Sequence, residues 1–242
     1  MKNFKLTIQY DGTNYSGWQI QKNAPTIQQT IADSIKIILK EEVNLIGSGR
    51  TDSGVHALGQ VANFISAGEI DLPKFRHSLN AILPIDIAIK HIEEVPEEFH
   101  ARFSAVKRSY FYFISKGKSP FYEKYSYRFP GKPELAQLKE ISKIFIGNKD
   151  FTSFAKKNSE IENKNCNVTC ADWRETKDLL IFHIEANRFL HGMVRAIVGT
   201  ILRTASENYN SDYIKNIFEQ KDRQSAWEAV PAKGLFLYKV TY

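Results

Sequence analysis

The chain has 242 residues, 43% of them hydrophobic and 25% charged, an ordinary composition for a soluble globular protein with one large domain or two small ones. No apolar run is long enough to span a membrane, and the N-terminus lacks the apolar core of a secretion signal. We therefore expect a cytoplasmic protein without a membrane partner. The 33 basic residues exceed the 27 acidic ones, most strongly at 116–124 and 156–164, and the net charge of +6 favours a polyanionic partner.

The first hundred residues show strand and helix patterns in turn. Apolar residues at every second position predict a strand over 4–10, which ends at the turn signal Asp11-Gly12. A helix is predicted over 26–40, because isoleucines recur at helical spacing after Pro25. The other elements expected here are strands at 43–46, 60–66 and 87–93, a helix at 72–83 and a connector at 99–104.

The rest of the chain partly repeats this order. Its patterns predict strands at 108–115, 167–175, 179–185 and 235–241, and helices at 133–144, 190–206 and 211–219. We expect an α+β fold with two similar halves, an N-terminal half at 1–104 and a C-terminal half at 105–242. Because strands and helices do not alternate strictly, mostly antiparallel sheets are favoured, with helices on the outer faces and the halves joined around a central cleft.

The most informative segment is 49–64, which begins Gly-Arg-Thr-Asp-Ser-Gly-Val-His and carries Asp52 between two predicted strands. Loops held by a rigid sheet commonly carry catalytic groups, and the glycines permit a sharp bend. Arg50 would favour the ionised form of Asp52, because a nearby cation stabilises a carboxylate. An ionised, positioned aspartate is suited to act as a nucleophile or a base. Asp52 could equally cap a turn and pair with Arg50 at the surface.

The triplet Asp52-Ser53-Gly54 also resembles the catalytic triplet of aspartic proteases. That chemistry needs two carboxylates that share one proton, and the chain contains no second such triplet. A monomeric aspartic protease is therefore excluded, and a dimeric one is disfavoured.

Two later segments carry further candidate binding residues. Alternation places Arg108, Tyr110 and Tyr112 on one face of a strand, and aromatic residues beside cations are typical of sites that stack unpaired bases. The same aromatic residues would also suit a strand that packs a core. In the long helix, Arg195 lies at the margin of an apolar stripe, where it can reach a neighbouring cleft or solvent, and His191 lies one turn before it.

The sequence carries no metal or cofactor signature. Cys166 and Cys170 are the only cysteines, and two thiols without two further ligands at suitable spacing do not form a zinc site. A disulfide between them is the alternative, but free thiols are favoured. The sequence has no Gly-rich phosphate loop, no dinucleotide fingerprint and no His-Glu-x-x-His, so we expect no cofactor and no metal.

Residues 49–56 resemble the signature Gly-Arg-Thr-Asp-Ala-Gly-Val-His of the tRNA pseudouridine synthase A family, with Ser53 in place of the alanine. Other segments resemble the same family, in the same order, along nearly the whole chain. They are Tyr-Asp-Gly at 10–12, Gly-Trp-Gln at 17–19, Asn-Ala-Ile-Leu-Pro at 80–84, Phe-His-Ala-Arg-Phe-Ser-Ala at 99–105, Asp-Phe-Thr-Ser-Phe at 150–154, Met-Val-Arg at 193–195 and Gly-Leu-Phe-Leu at 234–237. Several matches in order are more specific than any single one.

This resemblance implies an isomerase that converts uridine to pseudouridine in the anticodon arm of tRNA, at positions 38 to 40, without cofactor or metal. It also implies a homodimer whose subunits together bind one tRNA. By position, Asp52 matches the catalytic aspartate, and Tyr110 matches the tyrosine that stacks on the target base. Arg50 matches the arginine that enters the space left by the flipped nucleotide. Arg195 matches the basic residue that pairs with the aspartate, and Leu235 matches the apolar wall of the uracil pocket.

The resemblance leaves the role of the aspartate open. Asp52 would attack C6 or C1′ of the nucleotide, or take up a proton while the glycosidic bond breaks. Ser109 stands where a second arginine often precedes the tyrosine, which leaves one phosphate contact of the family unaccounted for. Two other functions are weighed against the synthase: a non-catalytic RNA-binding module, which loss of the aspartate would mark, and a hydrolase that uses Asp52 with His56 or His100. The hydrolase lacks a second carboxylate at a defined spacing.

Overall fold

The computed structural model describes residues 1–156 and 162–242, which form two compact units. Unit 1 comprises Met1–Val106 and Phe236–Tyr242, and unit 2 comprises Lys107–Leu235. The sequence-based division at residue 104 assigned the last strand to the C-terminal half, whereas the structure groups most of that strand with unit 1. Much of the predicted basic segment 156–164 lies outside the described residues.

Unit 1 is a sheet of mostly antiparallel strands with two helices. In chain order its elements are strand β1 (Lys2–Tyr10), helix α1 (Ile27–Leu39), and strands β2 (Ile46–Gly47) and β3 (His56–Ser66), followed by helix α2 (Leu72–Ile82) and strand β4 (Ile87–Val95). Strand β1 lies between β3 and β4 and is antiparallel to both, and β2 is antiparallel to β3. Residues 236–237 of the last strand pair in parallel with β3.

Alternation and helical spacing account for the two N-terminal elements. In β1 the side chains of Phe4, Leu6 and Ile8 are buried, while Thr7 and Gln9 between and after them are partly exposed. Helix α1 buries its isoleucines at helical spacing, and the hydroxyl of its N-cap residue Thr26 accepts the backbone N–H of Gln29. Both elements were predicted correctly because each buries one apolar face.

Unit 2 has the same class of architecture. Its elements are strand β5 (Lys107–Ser115), strand β6 (Tyr127–Arg128), helix α3 (Leu135–Ser142), strands β7 (Gly147–Asp150), β8 (Asn165–Glu175) and β9 (Leu179–Ala186), and helices α4 (Met193–Ser206) and α5 (Ser211–Gln220). The chain's last strand, β10 (Leu235–Thr241), begins at Leu235, the last residue of unit 2. Strands β5, β9, β8 and β7 are antiparallel neighbours in that order, and β6 is parallel to β5. The expected α+β class with mostly antiparallel strands is confirmed.

Some strand predictions were incomplete, and two strands were missed. The strand expected at 43–46 overlaps the two-residue strand β2 only at Ile46, and the carbonyl of Leu45 before it accepts a hydrogen bond from the Gln28 side chain. Strands β6 and β7 were not predicted, since β6 has two residues and β7 has the polar sequence Gly-Asn-Lys-Asp without apolar alternation. Backbone pairing alone defines such strands.

Helix α4 begins later than predicted. The sequence suggested a helix over 190–206 with His191 one turn before Arg195, but the helix starts at Met193, after Gly192 in a left-handed conformation with φ of 73°. His191 is therefore not on the helix. The predicted apolar stripe of α4 is buried throughout, and Arg195 is half-buried. None of the helices in the described ranges is long and apolar enough to cross a membrane.

Two buried asparagines fix the connector that follows β4. Asn3 and Asn63 are 2% and 3% exposed, and the Asn63 amide donates to the Asn3 side-chain oxygen at 3.0 Å. The Asn3 amide donates to the carbonyl of Phe99 at 2.8 Å, while the Asn63 side-chain oxygen accepts the backbone N–H of Ala101 at 2.8 Å. The connector thus obtains its backbone partners from side chains of β1 and β3.

Replacing Asn63 tests this network. We expect Asn63→Ala to lower the free energy of unfolding by about 2–3 kcal/mol, because it leaves the Ala101 N–H and the Asn3 side-chain oxygen buried without these partners. Urea-induced unfolding measures the change. Asn44→Ala is the matched control, because Asn44 is exposed and its loss should cost less than about 0.5 kcal/mol. Equal losses in the two variants would contradict the account.

Candidate active site

Asp52 lies in unit 1 on the segment 48–55, which connects β2 to β3 and is called the aspartate loop here. The Asp52 side chain is half-buried, and the Arg50 side chain is exposed. The backbone N–H of Val55 donates to the carbonyl of Asp52 at 3.2 Å, and Gly54 has a φ of 75°. A positive φ at the third position is typical of a type II turn, which favours glycine there. The catalytic candidate therefore sits at the first position of a tight turn.

The turn that follows β1 holds the aspartate loop through backbone contacts. The N–H of Trp18 donates to the carbonyl of Thr51 at 3.1 Å. The N–H of Gly54 and the hydroxyl of Ser53 both donate to the carbonyl of Tyr15, at 3.3 and 3.2 Å. These bonds are made on both sides of Asp52, so the main chain around the carboxylate is fixed from two directions.

Two glycines allow the β1 turn to approach this closely. A Cβ atom at Gly12 would overlap the carbonyl oxygen of Val55. A Cβ atom at Gly17 would overlap the carbonyl oxygen of Thr51 and lie 3.1 Å from the carbonyl carbon of Asp52, and Gly17 has a φ of 93°. These positions belong to the Tyr-Asp-Gly and Gly-Trp-Gln segments of the sequence. These two positions require glycine because no space is left for a side chain beside the aspartate loop.

Side chains of β3 and β1 hold the first residues of the aspartate loop. Gln60 is fully buried; its amide donates to the carbonyl of Gly49 at 3.0 Å, and its side-chain oxygen accepts the Ser48 hydroxyl at 2.7 Å. The hydroxyls of Tyr10 and Thr51 are 2.8 Å apart in the buried interior. Sequence reasoning missed Gln60 and Tyr10 as supporting residues. The glutamine in the largely buried strand β3 was the available signal, since buried polar side chains require partners.

The two histidines of the alternative hydrolase both contact backbone. His56 is 1% exposed and stacked on Phe236 at 4.6 Å, and its Nδ1 lies 3.1 Å from both the Gly12 nitrogen and a carboxylate oxygen of Asp11. The Nδ1 of His100 accepts N–H groups at residues 102 and 103. Both rings hold local structure in these positions, which favours the synthase over a hydrolase that uses them as bases.

Tyr110 lies on β5 of unit 2 and is 9% exposed. Its ring is perpendicular to that of Phe189, with the two centroids 5.1 Å apart, so the packing fixes the plane of the tyrosine ring. Tyr112, two residues further along the same face, is fully buried, and its hydroxyl donates to the carbonyl of Pro231 at 2.8 Å. The expected shared face of these two tyrosines is confirmed.

Arg195 and Gly234, the residue before Leu235, lie near Tyr112. The Nε–H of Arg195 donates to the carbonyl of Val230 at 2.7 Å, which orients its guanidinium. Burial raises the pKa of Tyr112 far above its ordinary value, and the Arg195 charge acts on that pKa in the opposite direction. Leu235 is 6% exposed and follows Gly234, where a Cβ atom would lie 2.7 Å from Cζ of Tyr112.

The candidate residues therefore form two groups. Arg50 and Asp52 belong to unit 1, on and beside the fixed turn. Tyr110, Arg195 and Leu235 belong to unit 2, where the charge of Arg195 acts on Tyr112 and Gly234, which precedes Leu235, lies against the Tyr112 ring. The first group offers a carboxylate and an exposed cation. The second offers an aromatic ring, an oriented cation and an apolar wall.

The two cysteines are free thiols, as predicted. Burial raises the pKa of Cys166 to about 11, and burial also raises the pKa of Cys170. A thiol that stays protonated is a poor nucleophile and a poor metal ligand. Within the ranges that the structure describes, no group of three or more His, Cys, Asp or Glu side chains is arranged to hold a metal ion.

A pair of glycine variants tests the close approach at the aspartate loop. We expect Gly17→Ala to lower the free energy of unfolding by about 3 kcal/mol, because the new methyl group would overlap the backbone and the residue would keep a positive φ. Gly49→Ala is the control, since a methyl group at Gly49 would meet no atom within 4 Å and we expect a change below about 1 kcal/mol. Thermal or urea unfolding measures both, and equal stability of the two variants would show that the turn can move away from the loop.

Comparison with known proteins gives one consistent result. The model of the family described as tRNA pseudouridine synthase matches residues 6–104 and 141–242. The chain is 40% identical to tRNA pseudouridine synthase A of Parabacteroides distasonis, covering 100% of this chain and 96% of that protein. It is 44% identical to tRNA pseudouridine synthase A 1 of Protochlamydia amoebophila, covering 99% and 96%, and 39% identical to tRNA pseudouridine synthase A of Bacillus subtilis, covering 98% of each.

A solved structure of an archaeal box H/ACA sRNP Nop10–Cbf5 complex is also similar, with 11% identity over 82% of this chain and 42% of that chain. Its TM-score of 0.36 is too low to support an inference. The family model and the full-length relatives agree with the motifs that the sequence carries in order. The chain, with Asp52 on its fixed turn, therefore belongs to the tRNA pseudouridine synthase family.

Proposed function

We propose that this protein isomerises uridine to pseudouridine in the anticodon arm of tRNA, at positions 38 to 40, with Asp52 as its catalytic residue. The observation that carries the proposal is the geometry of Asp52: a half-buried carboxylate on a turn whose backbone is held on both sides. The full-length relatives, which are named tRNA pseudouridine synthase A, support tRNA as the substrate.

The reaction needs a carboxylate and no external reagent. The C1′–N1 bond of uridine breaks, the uracil turns within the site, and a C1′–C5 bond forms. The hydrogen on C5 leaves as a proton and N1 gains one, so that the product is an isomer of the substrate. Asp52 serves as the nucleophile at C6 or C1′, or as the base that takes up a proton.

The fixed turn suits this chemistry because the detached uracil must be held while it turns. Small displacements of a catalytic group cost large factors in rate, and backbone hydrogen bonds around Asp52 limit such displacements. The contacts from Trp18, Tyr15 and Gln60 reach the main chain of the loop. The carboxylate itself stays partly accessible, as a group that meets an extruded base must be.

Arg50 fits the role of entering the space that a flipped nucleotide leaves. Its side chain is exposed, while the carbonyl of the residue before it is fixed by Gln60. A long, charged side chain on a fixed stretch of main chain can reach into the stacked bases of the RNA and contact phosphates without moving the turn. In this proposal Arg50 assists the extrusion of uridine, and Asp52 acts on the extruded base.

The unit 2 residues supply the surroundings of the base. Tyr110, with its ring plane set by Phe189, stacks on the uracil, and Leu235 provides an apolar wall. Arg195, oriented by its bond to Val230, takes the role that the family resemblance gives it, the basic residue that pairs with the catalytic aspartate. We further propose that the enzyme works in the cytoplasm, and the family resemblance adds that it is a homodimer that binds one tRNA.

The variant Asp52→Asn tests the catalytic role. With tRNA that carries tritium at C5 of uridine, isomerisation releases tritium to water, because C5 exchanges its hydrogen for the bond to C1′. We expect Asp52→Asn to lower this release by on the order of 10³-fold or more, because the amide is neither a nucleophile nor a base. Asp33→Asn, a change of the same kind at an exposed helical position, should leave the rate unchanged.

Binding measured in parallel separates catalysis from recognition. The affinity of Asp52→Asn for unmodified tRNA should stay within about threefold of the wild-type value, since phosphate contacts supply most of the affinity. Tritium release by Asp52→Asn at the wild-type rate would refute the catalytic assignment. Tritium release by neither protein would refute the proposed function.

Two variants at Tyr110 test the stacking role. Tyr110→Phe keeps an aromatic ring and should retain kcat/KM within about threefold, whereas Tyr110→Leu should lower it by about 5–150-fold, because stacking a base is worth about 1–3 kcal/mol. Unfolding measurements on both variants control for lost packing against Phe189. Equal losses of activity in both variants would instead assign the function to the phenolic hydroxyl.

A further inference from the structure

Unit 2 carries a recess that the proposed catalytic residues do not use. It has a volume of about 490 Å³, within the size range of ligand sites, and lies between the loop after β5 and the turn that joins β8 to β9. Its lining includes Lys116, Lys118, Phe121, Tyr122 and Lys177. We infer that this recess, called the lysine recess here, binds the phosphate backbone of the tRNA substrate, with an unpaired base against Phe121.

The charge of the lysine recess favours an anion. Three lysines line it against one acidic residue, Asp178. Lys116 forms an ion pair with Glu175 at 2.7 Å. Lys118 and Lys177 are exposed and have no ion pair or hydrogen-bond partner for their side chains among the residues that the structure describes. Two exposed ammonium groups at one recess suit phosphate, which lysine binds as a point charge.

Hydrogen bonds hold the two sides of the recess together. The backbone N–H of Lys116 donates to the carbonyl of Asp178 at 2.9 Å, and its ammonium donates to the carbonyl of Thr176 at 3.2 Å. Within the turn, the N–H of Thr176 donates to the carbonyl of Leu179 at 2.8 Å. The turn that bears Lys177 is therefore attached to the end of β5. The two sides of the recess are already in place, so binding a ligand does not carry the cost of bringing them together.

The aromatic residues indicate which anion the recess accepts. Phe121 is 85% exposed, although an apolar side chain of this size gains by burial. Further along the loop, Tyr125 is 40% exposed, and the ammonium of Lys124 lies 5.9 Å from its ring centroid. Exposed aromatic rings among lysines are typical of surfaces that bind single-stranded nucleic acid, where bases stack and the backbone meets cations. A free phosphate or another small anion would not need the rings.

The recess is placed to bind RNA rather than to take part in chemistry. Lys116 follows Tyr110 by six residues and lies just beyond the end of the same strand, about 20 Å away at about 3.3 Å per residue. A stacked strand covers that distance in about six nucleotides at about 3.4 Å each. The inference rests on the proposed function, since an RNA whose target base lies on Tyr110 is long enough to reach the recess.

The experiment measures tRNA affinity as a function of salt concentration. The double variant Lys118→Ala with Lys177→Ala should raise the Kd for unmodified tRNA about tenfold near 0.1 M salt. It should also lower the slope of log Kd against log salt by about 1.4–1.8, which corresponds to two lost phosphate contacts. At saturating tRNA, kcat should remain at the wild-type value. Phe121→Ala should raise Kd about fivefold or more and leave the salt slope unchanged.

The control removes the same charge elsewhere. Lys74→Ala with Lys90→Ala takes two exposed lysines from unit 1 and should alter neither the slope nor the Kd beyond a small general effect. Equal changes in the two double variants would overturn the inference, because they would show an effect of net charge alone. An unchanged slope in the recess variant would overturn it too. If the recess variant lost self-association in sedimentation but bound RNA as tightly as the wild type, the inference would also be overturned. The recess would then be assigned to contact with a second copy of the chain.

The outcome is distinguishable from failure of the proposed function. If the wild-type protein forms no pseudouridine in tRNA, the proposed function fails, and the salt slopes on tRNA still report whether the recess binds RNA. If pseudouridine forms and the slopes do not differ, only the recess assignment fails.

Discussion

The close approach of two backbone segments in unit 1 is the constraint on which the candidate site depends. The turn after β1 passes so near the aspartate loop that Gly12 and Gly17 have no space for a side chain. The same turn accepts the first hydrogen bonds of α1, since the carbonyls of Gly17 and Trp18 accept N–H groups at residues 27 and 28. Strand, helix and catalytic loop thus share one junction, and the position of Asp52 follows from the packing of the elements around it.

Local sequence patterns predicted the elements that bury an apolar face. Strand β1 and helices α1 and α4 follow their apolar spacing, because burial of one face determines the conformation. Strand β7 has no such face and is defined by its backbone pairing with β8, which no local pattern reveals. Likewise the start of α4 depends on the left-handed conformation of Gly192, so the sequence placed His191 on a helix that begins after it.

The sequence proposes the residues of the candidate site but does not reveal the contacts that hold them. Asp52 and Arg195 lie in motifs of the family, and Tyr110 was proposed from strand alternation and its position. The structure adds that the main chain around Asp52 is fixed by contacts from Trp18 and Gln60. Those contacts join positions that are distant along the chain, so single-sequence periodicity carries no information about them. Under the proposed function, unit 1 supplies the reacting carboxylate, while unit 2 supplies the stacking ring, the apolar wall and a recess for the RNA backbone.

Chemical mapping of pseudouridine in an unmodified tRNA pool tests the central claim most directly. The pool is incubated with the wild-type protein and, separately, without protein, and every uridine is scored by a pseudouridine-specific reaction. We expect new signals at anticodon-arm uridines, at positions 38 to 40, in the wild-type sample alone. Absence of new signals from all tRNAs, or signals confined to another part of the tRNA, would contradict it.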